Sequence, residues 1–337
     1  MYSVCRIFAL LAVAGSVCAQ PRVGYVEVFG VREVSKDRIL RVVGTEAGGV
    51  LPKSKGELEE KLVGLDGVVA ASVEAFCCEE GRLVLYAGIQ ERGTPLFEYR
   101  TVAMETVEVP EEVTGAYGEF TTALARAAAA GDVAEDLTQG HSLMRNAECR
   151  QAQMRFPDLA GRHGGVLKAA LERSEDPGMR AMAAYILGYA ADKSKVVDEL
   201  QGGLRDPEQE VRMTSARALR AISVLARDKG KGIVIRATWF VEMLNSVVLG
   251  DRLEGSRTLN LMFDELTEGT VAQIKERALP SLYEMARWRH LAHALPAYLL
   301  LGKVAGVAEQ DVQREWEAGR REEMLARMEK TLSPKKK

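Results

Sequence analysis

The sequence predicts a two-part chain: a small α+β domain in β-α-α-β-β order, then an all-α array of packed helix pairs, mostly helical overall. Three observations carry this. Residues 23–29, 68–76 and 83–90 alternate apolar and polar with period two, and two amphipathic helical stretches lie between the first and second of them. Beyond a connection bearing glycine and proline, the helical period persists almost to the end of the chain. Finally, one helix stripe recurs: Met179, Ala183, Ile186, Leu187 and Ala190 shift by 32 (211 minus 179) onto Val211, Ser215, Ala218, Leu219 and Ile222.

In chain order, Arg6 precedes the apolar run Ile7 to Ala14, and the small residues of Val17-Cys18-Ala19 fit a signal-peptidase site. A signal peptide over 1–19, cleaved after Ala19, is expected, with a periplasmic or secreted mature protein. Val17 stands where a lipoprotein needs a small residue, which argues against lipidation at Cys18. No apolar run reaches the roughly 20 residues of a membrane-spanning helix.

The first domain occupies 22–92. Val26 and Val28 share one face of the first strand, opposite Tyr25, Glu27 and Phe29, and Gly30 closes the run. Ser35 can cap a helix with Ile39, Leu40 and Val43 on one stripe; Ser54, with Glu57 three residues on, begins a second helix with Leu58, Leu62 and Leu65 in line. Val69, Ala71, Val73 and Ala75 then share a strand face, Glu79-Glu80-Gly81 supplies a hairpin turn, and Leu83, Leu85, Ala87 and Ile89 alternate through the third strand. Of the cysteines, one of Cys77 and Cys78 is expected to be buried at a strand end, and a bond from the other to Cys149 is left open.

This order, with Val26-Glu27-Val28-Phe29-Gly30, Leu65-Asp66-Gly67-Val68-Val69 and the closing Ile89-Gln90-Glu91-Arg92, resembles the POTRA domain. The resemblance implies a periplasmic module that binds polypeptides. It departs from many such proteins in that no series of roughly ten-residue alternating strands for a membrane barrel follows.

Residues 93–118, with Gly93, Pro95, Pro110, Gly115 and Gly118, read as a linker without a core of its own. Helix is expected from 119 to 331, and the basic tail 332–337 is expected to be disordered. Asp176-Pro177 followed by Met179-Arg180 is echoed by Asp206-Pro207 followed by Val211-Arg212, so each unit reads as an outer helix, an Asp-Pro turn and an inner helix. With small residues Ala183, Ala184 and Ala216 on the inner helices, residues 164–224 resemble the HEAT repeat family, and the resemblance implies a HEAT-like helical-repeat solenoid for the second part. Beyond 224, helices are expected at 233–249, 251–266, 271–288, 291–304 and about 310–330, without the Asp-Pro signature.

The resemblance implies protein binding, and the inner-helix cations Arg180, Arg212 and Arg217 are the expected protein-binding surface. Forty-five basic against 48 acidic residues leave a net charge of −3, which gives no electrostatic footprint for nucleic acid. No catalytic residues, cofactor or metal are expected. His290 and His293 share a helix face but lack the glutamate and third ligand of a zinc site. His141 and Cys149 read as a polar turn and a buried thiol, and Arg162-His163-Gly164-Gly165 as a turn without phosphate-loop residues. Trp239, Trp288 and Trp316 sit in apolar helix contexts expected to be core or interface. The function predicted is an exported, non-catalytic protein-binding adaptor of the bacterial envelope. The alternatives are a self-associating structural protein, a metal- or thiol-dependent enzyme, or, because some HEAT-like repeat proteins act as lyases on bilin chromophores, a lyase.

Overall fold

The computed structural model describes residues 22–79, 81–229 and 232–333. The expected signal peptide, the Cys18 question and the final residues of the basic tail lie outside the described residues. The chain divides into two compact units at Gly93/Thr94.

In the first unit, strands β1 (Val23–Phe29), β2 (Val68–Glu79) and β3 (Arg82–Glu91) form a sheet of order β1-β3-β2, with helices α1 (Lys36–Val43) and α2 (Lys55–Val63) between β1 and β2. β1 runs parallel to β3 and β2 antiparallel to it, so β3 is the central strand. Its burial follows, since both faces of β3 are covered and Leu85, Ala87 and Ile89 enter the core with Ile39, Val43, Leu58 and Leu62. Ser54 Oγ accepts from the Glu57 amide at 3.3 Å and starts α2, whereas Ser35 precedes α1 without a side-chain cap. A register shift between Val68 and Ala70 alters the expected pattern: Val68 is 5% exposed and Val69 41%. A bulge inserts one residue and hands the inward position to its neighbour.

Glu91 closes this unit from the far end of β3. Its carboxylate accepts from the backbone amides of Arg32, Glu33 and Val34 at 2.8–3.0 Å, which pins the turn after β1. Burial pushes its carboxyl up, but the three amide donors outweigh this and hold it below the usual carboxylate range. Gly67, before β2, has φ +91° and a Val34 methyl 3.2 Å from where a Cβ would stand, so a side chain there is strained twice over. Cys77 is disulfide-bonded and exposed, and Cys149 is free and buried, so these two are not joined.

The second unit is a small helical entry followed by stacked helix pairs. Helix α3 (Glu111–Ala129) meets α4 (Ala147–Gln153), and between them a two-stranded ribbon joins β4 (Glu135–Asp136) to β5 (Leu143–Met144). Next come α5 (Phe156–Arg173), α6 (Pro177–Leu187), α7 (Val197–Gly203), α8 (Gln209–Lys229), α9 (Thr238–Met243) and α10 (Leu249–Leu261). Then follow α11 (Glu268–Arg277), α12 (Leu279–Ala286), α13 (Leu291–Val304), α14 (Glu309–Glu317) and α15 (Arg321–Leu332). α6 packs on α8, α8 on α10 and α10 on α13, an inner row; α5 packs on α7, and α9 on α11, in a second row. The whole is a small α+β domain followed by an all-α, HEAT-like solenoid. At the close approach of α7 to α8, a Cβ on Gly203 would overlap the Ser215 hydroxyl, so a side chain there would force Ser215 to move.

Several boundaries differ from the sequence reading for identifiable reasons. α3 begins at Glu111 behind Pro110, because Gly115 and Gly118 lie inside the helix in open space rather than in a connection. Gly164 and Gly165 likewise sit inside α5 rather than in a turn. The stretch read as one helix over 233–249 holds only α9, and the stretch over 271–288 is broken at Ala278. The terminal helix splits at Gly319, whose φ of +70° ends α14, and Leu332 belongs to α15 rather than to the tail.

Candidate protein-binding surface

The expected binding cations are placed differently from the sequence reading. Arg180 and Arg212 are 3% and 1% exposed, so neither forms a surface. Arg180 Nη1 donates to Ser174 O at 2.8 Å, while its Nε and Nη2 engage both oxygens of Asp206 at 2.9 Å. Arg212 repeats this one pair later: Nη1 donates to Asp206 O at 2.8 Å, and the guanidinium meets Asp251 at 2.9–3.1 Å. Arg252 repeats it again, with Nε 2.6 Å from Ser246 O and Nη1 3.0 Å from Glu284. In each case a buried arginine bonds a carbonyl six residues upstream and a carboxylate of the following helix pair. Paired buried charges of this kind fix one repeat to the next and are costly to break singly. Arg217 alone keeps some exposure, with its side chain 26% accessible, and it is bound to Glu135 of β4.

The turn edge holding these arginines is also covered. Residues 94–110, expected to be a coreless linker, run extended along it. Arg100 N donates to Arg205 O at 2.7 Å, and its guanidinium reaches Asp206 at 2.7 Å and Leu171 O at 2.5 Å. Glu105 forms a parallel bridge to Ser174 and pairs with Arg173 at 3.0 Å. Phe97 is buried, and the Arg212 guanidinium lies 4.7 Å from the Tyr99 ring. Asp206 therefore serves two arginines. Burial pushes its carboxyl up, but the Arg180 and Arg100 guanidiniums and the Glu208 amide prevail and hold it below the usual carboxylate range.

The open surface lies instead across the inner row. One cavity of about 240 Å³ spans α8 and α10 and is lined by Glu135, Thr214, Arg217, Arg220, Glu254 and Arg257. Glu254 is almost buried and holds Arg220 and Arg257 at 3.1 Å each, one on each oxygen. A second cavity of about 320 Å³ spans α10 and α13, with Leu261, Leu295, Pro296 and Leu299 as walls and Arg257 and Lys303 among its lining residues. The two meet at Arg257. The residues stand at helical spacing on each helix, as Met213, Arg217 and Arg220 do on α8 and Leu295, Leu299 and Lys303 on α13. That spacing is visible in the sequence; the adjacency of the helices is not.

Residues 166–229 match the family model for HEAT repeats. The match runs from within α5 to the end of α8, and the Arg252 contact carries the same HEAT-like stacking beyond it. No curated protein and no solved structure matches the chain. HEAT repeats suggest a protein-binding scaffold, and no helix among the described residues is long and apolar enough to cross a membrane.

The chemical candidates acquire environments. Burial, with Glu148 and Asp132 beside it, pushes the Cys149 thiol up, opposite to what a nucleophilic thiolate needs. Burial lowers His141 to about 4, with the ring stacked 4.8 Å from Tyr189. His290 and His293 stack 4.0 Å apart, and burial lowers His293 to about 3. Among the described residues no group of three or more His, Cys, Asp or Glu is placed to hold a metal. Trp288 is buried, Trp239 lies under the Arg205 guanidinium at 4.3 Å, and Trp316 packs 4.9 Å from Tyr298.

Proposed function

We propose that the protein is an exported, non-catalytic binding scaffold of the bacterial envelope, holding a polypeptide partner on the α8–α10–α13 face of its HEAT-like array. The observation that carries this reading is the pair of cavities meeting at Arg257, on a row of helices fixed by buried arginine–carboxylate pairs. Such a row is rigid and presents side chains from several helices at once, which suits recognition of an extended surface. The POTRA-like reading of the first unit adds a second polypeptide-binding module; its β-α-α-β-β order and mixed sheet support it. Export is supported by the Arg6, Ile7 to Ala14 and Val17-Cys18-Ala19 pattern.

The test is site-specific photo-crosslinking in intact bacteria, with the photoreactive residue placed at Thr214 or Leu299 and, as a control, at Arg126 on α3. Capture of a discrete partner from the first two positions only is expected, with the protein in the periplasmic fraction. A chain that stays cytoplasmic, or that is captured only with itself, would count decisively against the reading.

A further inference from the structure

The cavity between α10 and α13 is chemically lopsided. Its walls are aliphatic, from Leu261, Leu295, Pro296 and Leu299, yet it contains two cations against one exposed acid, Glu309. Arg257 shares Glu254 with Arg220, so that carboxylate leaves one positive charge in excess. Lys303 is half-buried. Its Nζ donates to the Asn260 carbonyl at 2.9 Å and lies 5.8 Å from the Phe263 ring, and among the described residues no carboxylate pairs with it. A partly desolvated ammonium held beside an apolar wall gains most from a carboxylate, which accepts a short charge-assisted hydrogen bond. The walls are held in place, because Asn260 Nδ2 bonds the Pro296 carbonyl and so ties α10 to α13.

The volume, about 320 Å³, is at the low end for ligand cavities (about 300–1,000 Å³). It suits a large aliphatic or aromatic side chain with its adjoining backbone. The continuation past Arg257 into the charged cavity over α8 favours a segment that runs through, rather than a chain end.

We propose that this cavity receives an apolar side chain of an extended partner segment, and that an adjacent Asp or Glu on that segment meets Lys303 and Arg257. This rests on the scaffold reading above and names the recognised motif. The partner is then acidic around an apolar anchor.

The test uses the full chain and fluorescein-labelled decapeptides with a central Leu-Glu pair in a Gly/Ser background, read by fluorescence anisotropy. Matched peptides carry Leu-Gln, Leu-Lys or Ala-Glu. The Leu-Glu peptide is expected to bind at least tenfold more tightly than Leu-Lys and Ala-Glu. Lys303→Met should weaken Leu-Glu about tenfold while leaving Leu-Gln unchanged, a split that a merely structural role for Lys303 does not produce. Leu299→Asn, a solvent-lapped wall position, should weaken both. Equal binding of Leu-Glu and Leu-Lys, or no Leu-Glu binding at millimolar peptide, overturns the inference. Displacement of the peptide by phosphatidylglycerol vesicles but not by excess unlabelled Leu-Glu peptide overturns it too, in favour of a lipid surface. Crosslinking in cells separates this from the broader reading: a partner still captured by Lys303→Glu and Leu299→Asn chains sinks only the motif, whereas a wild-type chain that captures nothing sinks the scaffold.

Discussion

Two turns of the array invite comparison, the one preceding α8 and the one preceding α10. The first reads Arg205-Asp206-Pro207 and the second Asn245-Ser246-Val247-Val248, with nothing in common as sequence. In space they do the same work. Asp206 Oδ1 accepts from the Glu208 amide at 3.0 Å and Ser246 Oγ from the Val248 amide at 3.1 Å, each two residues on. Each residue's carbonyl then receives the buried arginine six positions downstream, Arg212 or Arg252. The turn before α6 completes the set with Ser174, not Asp176: Ser174 Oγ accepts from the Asp176 amide at 3.2 Å and Ser174 O from Arg180. Ser174, Asp206 and Ser246 are all at most 2% exposed, while Asp176 is exposed and only caps α6. The Asp-Pro echo of the sequence is therefore out of register by two residues with the structural repeat, as its spacing of 30 against the stripe's 32 records (206 minus 176; 211 minus 179). What defines the repeat is a buried side-chain oxygen closing a short turn, whose carbonyl is gripped by an arginine.

The sharpest way to break this comparison is Arg212→Ala. It leaves Asp251 buried without its counter-ion, and a loss of about 3–5 kcal/mol is expected in urea denaturation. A loss under 1 kcal/mol would mean that the arginine grip is ornamental. Next comes Asp206→Asn, which weakens the hold on Arg180 and Arg100 together, with an expected loss of about 1.5–3 kcal/mol. Because the folded carboxyl lies below its unfolded value, its contribution is present above about pH 3.9 and is lost as pH falls through the folded value. The Asn variant should accordingly show a flatter acid limb when unfolding free energy is measured against pH. Ser246→Ala removes the turn-closing acceptor and also the hydroxyl that donates to the buried Asp251 carboxylate at 2.7 Å, so it should cost about 1.5–3 kcal/mol, whereas Ser174→Ala removes a turn-closing acceptor and should cost about 1 kcal/mol. Smallest is Arg217→Ala, whose partly exposed pair with Glu135 is expected to contribute about 0–1 kcal/mol, leaving the melting curve nearly unmoved.

The first unit was legible almost residue by residue, because period two and period 3.6 are set by local geometry and its helices carry their own signals at Ser54 and Gly44. The exceptions are the bulge at Val69 and the role of Glu91, which depends on amides nearly sixty residues away. In the second unit the helical class and the stripes of α6 and α8 were equally clear. The site was not. Arg180 and Arg212 stood out as cations on inner helices, and a cation is normally exposed; only the carboxylates that the next pair brings to them allow their burial. The strap over 94–110 carried the composition of a linker, since its stabilising partners, Arg205 O, Leu171 O and Asp206, lie about seventy to over a hundred residues further along.

By itself, the sequence determined the strand and helix periods, the order of elements, and a repeat stripe that matches the HEAT family over 166–229. These are properties of a chain and its nearest neighbours. The tertiary structure alone decided which arginines are buried, which residue begins each repeat, and where two cavities meet at Arg257. Those depend on helices brought side by side by burial of their apolar faces, and a non-directional force of that kind leaves no local mark on the polar residues that it happens to juxtapose.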